Sequence, residues 1–195
     1  MRKYFEKLYK GNLEEFSCVL EEKLEKEEKA FVITANPETL MIGEKNPEFQ
    51  KILLSKDVTI TADGIGVVKG AQELGYNIRE RVTGVDIVKK LFEAADKKKK
   101  SLYLFGAKPE VVKRLAEIVE SKYSGIQLLG YKDGYVTKKD EVFEKISDLK
   151  PDIVLVALGI PAQELLIAKH YDKFDKGIFI GIGGAFDVLS GMKKR

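Results

Sequence analysis

The chain has 195 residues, 44% hydrophobic and 33% charged, enough apolar material for one α/β domain over residues 1–195 and too much for a disordered chain. A net charge of +3 is too small for a nucleic-acid-binding surface, since the basic residues mostly alternate with Glu along predicted helices. A single cysteine, Cys18, excludes an internal disulfide and a cysteine-based metal site and fits a reducing, cytoplasmic location, and no apolar run of roughly 18 residues marks a membrane span or leader.

Asn12 followed by Glu15 reads as a helix N-cap with a capping box, and the run 13–29 carries apolar residues at helical spacing, with Phe16, Cys18 and Leu20 in its apolar stripe. A strand is predicted over 30–34. Asn36-Pro37-Glu38 then opens a helix reaching Gly43, and Asn46-Pro47 opens another. The alternation continues with a strand at 58–61, a helix from Gly66, a helix at 85–95 and a strand at 101–105. It then runs through a helix at 109–122, a strand at 126–131, a helix at 138–149, a strand at 152–157, a helix at 162–171 and a strand at 177–181. Short β-branched strands between longer amphipathic helices imply an α/β, Rossmann-like, mainly parallel sheet with helices on both faces.

Open sheets of this kind bind ligands beyond the carboxyl ends of their strands, so the residues that follow each strand are the candidates. They are Asn36 and Glu38, Asp63-Gly64-Ile65-Gly66, Gly106 to Pro109, Asp133-Gly134-Tyr135, Gly159 to Glu164, and Gly181 to Asp187. Glycines there let backbone amides approach a phosphate, and a following helix adds a favourable dipole. Neither a dinucleotide fingerprint nor a P-loop is present, which moves NAD enzymes and NTPases down the order.

Asp63, at a strand end before a glycine, is placed to project a carboxylate into the crevice as a general base, or to cap the next helix, or both. Arg81 stands in a second polar group with Thr83, Gly84 and Asp86. It suits a bidentate hold on a pyrophosphate, or an ion pair with Glu80 or Asp86, and the spacing leaves both open. Gln163 and Glu164 open a helix after a buried strand and either face a sugar or serve as first-turn polar residues. His170, the one histidine, reads as structural, without the partners a catalytic triad or a zinc site needs. The basic run Lys97 to Lys100 reads as a solvated helix end.

The ordered series is more specific than its members. Thr34 to Glu38, Asp63 to Val67, Arg81 to Asp86, Leu104-Phe105-Gly106 with Pro109, Gly130 to Tyr135, Gly159-Ile160-Pro161 with Gln163-Glu164, and Gly181 to Asp187 together resemble the WecG/TagA/CpsF glycosyltransferases from about residue 30 to the end. The resemblance implies an inverting, metal-independent transfer, with no cofactor, from a UDP-sugar to the 4-hydroxyl of N-acetylglucosamine on undecaprenyl diphosphate. In the teichoic-acid branch of the family the donor is UDP-N-acetylmannosamine. Asp63 matches the family's base, Asn36 and Gln163 its sugar pocket, and Gly184 and Asp187 the loop beside the uridine, while Arg81 and helix N-termini are placed to support the departing diphosphate.

This sequence departs from the family at Ala162 and Leu165-Leu166, where members usually carry Lys and Trp, which leaves donor identity open to N-acetylmannosamine uronate or glucose. Family members also continue beyond Gly191 with apolar and arginine-rich helices. The resemblance implies that such a tail completes the site and touches the inner face of the membrane, with Lys193-Lys194-Arg195 as the start of its basic segment. A surface normally covered by the tail would favour homo-oligomers. A catalytically idle nucleotide-sugar-binding domain is the alternative from a different class.

Overall fold

The computed structural model describes residues 1–194. In chain order its elements are α1 (Arg2–Lys7), α2 (Leu13–Glu25), β1 (Lys29–Ala35), α3 (Pro37–Lys45), α4 (Pro47–Leu54), β2 (Val58–Ala62), α5 (Ile65–Glu73) and α6 (Gly84–Lys98). Then follow β3 (Ser101–Gly106), α7 (Pro109–Lys122), β4 (Gln127–Lys132), α8 (Lys139–Leu149), β5 (Ile153–Ala157), α9 (Ala162–His170), β6 (Gly177–Gly181) and α10 (Ala185–Leu189).

The strands form one wholly parallel sheet in the order β2-β1-β6-β5-β3-β4. Its two central strands, Ile-Val-Leu-Val-Ala and Gly-Ile-Phe-Ile-Gly, are buried at every position, because helices cover both faces and leave no polar side to alternate with. Successive side chains still part to opposite faces. Ile178 and Ile180 of β6 join a core with α2, α6, α7 and α10, whereas Phe179 between them joins α1, α3, α4, α5, α8 and α9. On that second face Phe179 meets Phe174 at 4.6 Å and Tyr171 at 5.4 Å between ring centroids, both edge to face.

Three elements differ from the sequence reading. Helix α1 carries no side-chain cap and is only 6 residues long; burial of Tyr4 and Phe5, with Leu8 bridging to Ile60 beside β2, holds it where propensity alone would not. Helix α2 stops at Glu25 instead of running to 29, because Glu27 takes a left-handed φ of 54° that turns the chain into β1. Helix α10 occupies what reads as a glycine loop. Cys18 is exposed, not part of the apolar stripe: Phe16 and Leu20, four apart, face the core, and a residue two from each lies on the far side of the helix.

The Lys97 to Lys100 run sits at the C-terminus of α6, with Lys99 left-handed at the cap and Lys98 ion-paired with Glu21 and Glu25 of α2. Of the basic end of the chain, Lys193 and Lys194 are described and Arg195 lies outside the described residues. Among the described residues no helix is long and apolar enough to cross a membrane.

The topology fixes where a ligand can enter. After β1 the chain leaves toward α3 on one face, while after its neighbour β6 it leaves toward α10 on the other. The same divergence separates β3, followed by α7, from β5, followed by α9. Crevices open at such points because no connection crosses them.

Candidate functional site

Ala35 and Ala62 pair across β1 and β2, so the next residues, Asn36 and Asp63, emerge side by side at the carboxyl edge. The Asp63 amide donates to the Ala35 carbonyl at 2.9 Å, and Gly64 lies so close to the next loop that a Cβ there would sit 3.0 Å from Pro37 Cδ. A third segment joins them when the Val82 amide donates to the Ala62 carbonyl at 2.9 Å. This brings the N-terminus of α6 to Asp63, whose Oδ2 accepts from the Gly84 amide at 3.1 Å.

Asp63 is half-buried and serves as a cap, though for α6, 21 residues on, and not for α5, which follows it directly. This bond orients the carboxylate. Thr83 Oγ1 accepts from the Asp86 amide at 3.2 Å and donates to Asp86 Oδ2 at 2.7 Å, completing the start of α6.

Asn36 caps α3: its Oδ1 accepts from the Thr39 amide at 2.9 Å and from Thr39 Oγ1 at 3.0 Å, and Thr39 Oγ1 accepts from the Asn36 amide at 3.1 Å. Its side-chain NH2 has no partner among the described residues and is the end left to meet a ligand. Arg81 is exposed and makes no ion pair among the described residues. Of its two candidate partners, Glu80 accepts from the Leu13 amide at 2.7 Å and Asp86 is engaged with Thr83.

Gln163 lies beneath the crevice floor, 2% exposed. Its Oε1 accepts from the Gly159 amide at 3.2 Å and from the Gly183 amide at 3.0 Å, and its Nε2 donates to Glu164 Oε1 at 2.7 Å. Three of the four hydrogen bonds an amide side chain can make are therefore internal, and one N–H is left for a sugar. Burial pushes the Glu164 carboxyl up to about 7. Gly184 is exposed, with open space where a Cβ would stand, and Asp187 in the first turn of α10 is half-buried, its carboxylate without a partner among the described residues.

The sequence reading expected helix N-termini at this edge but not that four of them lack side-chain caps. Helices α5, α7, α9 and α10, which follow β2, β3, β5 and β6, begin at Gly64, Lys108, Pro161 and Gly184, and none has a side-chain cap. The first-turn amides of Val67, Val111, Gln163 and Ala185 close on nearby backbone carbonyls, whereas those of Ile65, Gly66, Glu110 and Ala162 make no backbone bond among the described residues and face the carboxyl edge of the sheet as donors for an anion. The signal in the sequence was the lack of Ser, Thr, Asp or Asn at those four boundaries.

Other features lie apart from this edge. A groove of about 850 Å³ runs between α4 and α9, past Lys51, Ile52, Leu165 and Tyr171, and includes none of the residues above. His170 is buried, stacks on Phe143 at 5.4 Å and sets its Nε2 2.7 Å from Asp140 Oδ1, tying α9 to α8 in a structural role. Among the described residues no three His, Cys, Asp or Glu side chains gather as a metal-ligand set.

Relatives of known activity share most of this chain. An N-acetylglucosaminyldiphosphoundecaprenol N-acetyl-beta-D-mannosaminyltransferase of Bacillus spizizenii is 41% identical over 172 residues, covering 88% of the chain and 66% of the relative. The Bacillus subtilis protein of the same name is 38% identical over 166 residues, 85% of the chain and 64% of the relative. That of Staphylococcus aureus strain NCTC 8325 is 31% identical over 165 residues, 85% of the chain and 65% of the relative. The chain thus spans slightly less than two thirds of the length of these relatives. The profile of one family matches residues 7–195, and the chain belongs to it: the glycosyl transferase WecG/TagA/CpsF family.

Proposed function

We propose that the chain carries the donor site and catalytic base of an inverting transferase that moves N-acetylmannosamine from UDP to the 4-hydroxyl of N-acetylglucosamine on undecaprenyl diphosphate. The observation that carries this reading is the setting of Asp63. It is a half-buried carboxylate oriented by the Gly84 amide, beside the Asn36 side-chain NH2 and the uncapped start of α5, in a chain whose relatives are named for that transfer.

Asp63 takes the proton of the acceptor hydroxyl as its oxygen attacks the anomeric carbon of the donor. The bond from that carbon to the UDP oxygen breaks on the opposite face, so one displacement inverts the configuration and the electron pair leaves with UDP. Charge growing on the diphosphate is met by the uncapped helix starts and by the Arg81 guanidinium, without a resident metal. Asn36 and the remaining N–H of Gln163 hold sugar hydroxyls, and Gly184 with Asp187 lies against the uridine. Helix α10 is short, so Asp187 and not the helix dipole carries that contact.

A lipid-linked acceptor sets the reaction at a membrane surface, and peripheral association at the inner face of the cell membrane belongs to this proposal. Exposed Met41 and Ile65, on the helices that follow β1 and β2, give the site an apolar fringe suited to it. Self-association through the same fringe is read by light scattering with and without anionic vesicles. The function is tested by offering a panel of UDP-sugars with lipid-linked N-acetylglucosamine. Transfer from UDP-N-acetylmannosamine above all others is expected, and preference for a uronate or glucose donor overturns the donor assignment.

A further inference from the structure

Glu164 has no part in the chemistry above, yet it is 1% exposed and its Oε2 has no partner among the described residues. It lies with Gln163 in the first turn of α9, against the end of β6. Space for the pair exists because residue 181 is glycine: a Cβ there would fall 2.6 Å from Glu164 Oε1 and 2.9 Å from Gln163 Nε2. Any side chain at that position displaces both.

The bond from Gln163 Nε2 to Glu164 Oε1 at 2.7 Å decides which end of the amide faces the loops. With the NH2 drawn to Glu164, the carbonyl oxygen points at the Gly159 and Gly183 amides, 3.2 and 3.0 Å away. The reversed amide would set its own N–H groups against two N–H donors, which is repulsive. Gly159 and Gly183 have φ of 82° and 33° and belong to the loops leaving the adjacent strands β5 and β6, so one oxygen ties two turns that no other side chain among the described residues joins.

We propose that Glu164 is a positioning residue that fixes the orientation of the Gln163 amide and thereby sets the spacing of the glycine turns after β5 and β6, between which the nucleotide diphosphate is held. The last clause rests on the proposed function; the tie between the loops does not. Burial favours the protonated carboxyl, whose Oε1 remains an acceptor for Gln163. Glutamine offers the same carbonyl oxygen, whereas methionine fills the space and offers no acceptor.

The test compares Glu164→Gln, Glu164→Met and Gly181→Ala in the 195-residue chain, by hydrogen exchange at the Gly159 and Gly183 amides and by calorimetry with UDP. Exchange at β3 amides serves as the control for folding. Glu164→Gln is expected to keep wild-type protection and affinity. Glu164→Met and Gly181→Ala are expected to exchange both glycine amides about tenfold faster and to bind UDP about tenfold more weakly, the scale of one lost buried hydrogen bond. Wild-type protection at both glycines in Glu164→Met overturns the proposal, as does equal loss in Glu164→Gln. Changed exchange with unchanged UDP affinity overturns the link to the diphosphate alone. Failure of UDP to bind the wild-type chain overturns the proposed function, while the exchange results still decide the loop tie.

Discussion

Glu164→Gln has a consequence for stability that can be worked from the burial of one carboxyl. Folded, Glu164 keeps its proton to about 7, because desolvation outweighs the bond from Gln163; unfolded, it releases the proton near its ordinary value of 4.5. A raised acid of this kind favours the fold fully below pH 4.5, and that contribution is lost as pH rises through 7, since the unfolded chain ionises freely over that window and the folded one does not. The difference between the two values corresponds to at most about 3 kcal/mol, a sizeable share of the 5–15 kcal/mol roughly typical of a whole domain. Glutamine has no proton to lose. Urea unfolding of both proteins at intervals from pH 4.5 to pH 8 isolates the effect, because the other titrating groups are common to both and cancel in the difference. Glu164→Gln should gain on the wild type as pH rises and level off above 7. A difference that does not change with pH refutes the protonated buried carboxyl.

Replacing Gln163 with Ala strands the Gly159 and Gly183 amides and should cost about 1–3 kcal/mol for each amide that water fails to reach, read as a lower urea midpoint. Asp63→Ala removes the cap on Gly84 and should destabilise by about 1 kcal/mol, whereas Asp63→Asn keeps a side-chain oxygen in place and should cost less in the same thermal melt. Transfer should continue in excess EDTA and gain nothing from added magnesium. A rate restored only by the metal would show that the helix starts and Arg81 do not suffice for the leaving diphosphate.

The sheet was legible because β5 and β6 are apolar without interruption and because Asn12, Asn36 and proline mark helix starts in the ordinary way. Long-range arrangements were not. Helix α1 exists only against α4 and the bridge from Leu8 to β2, and α10 only once Phe186 finds the core of α6 and α7, so neither shows in local pattern. The sequence marked Asp63 as a residue of the ligand edge and left base and cap both open. The cap turned out to serve a helix that arrives from 21 residues away, which spacing along the chain does not encode. The sequence left Gln163 open between a sugar contact and a first-turn polar residue and did not show its burial against β6, because its partner Gly183 lies 20 residues on and a glycine at 181 is what admits it. Cys18 was assigned to the apolar stripe from its neighbours, although a helix turns it away from Phe16 and Leu20.

The central claim is that Asp63 deprotonates the acceptor. Its most direct test is the rate of N-acetylmannosamine transfer from UDP to lipid-linked N-acetylglucosamine by wild type and Asp63→Asn. Both are compared in the 195-residue chain and in a form extended to the length of its relatives, with UDP affinity measured alongside. Loss of a general base should lower turnover by about 10²–10⁴-fold in the extended form and leave UDP binding within a few-fold, because the amide keeps the Gly84 cap and the nucleotide contacts. Equal turnover by the two proteins, with UDP bound alike, would contradict it.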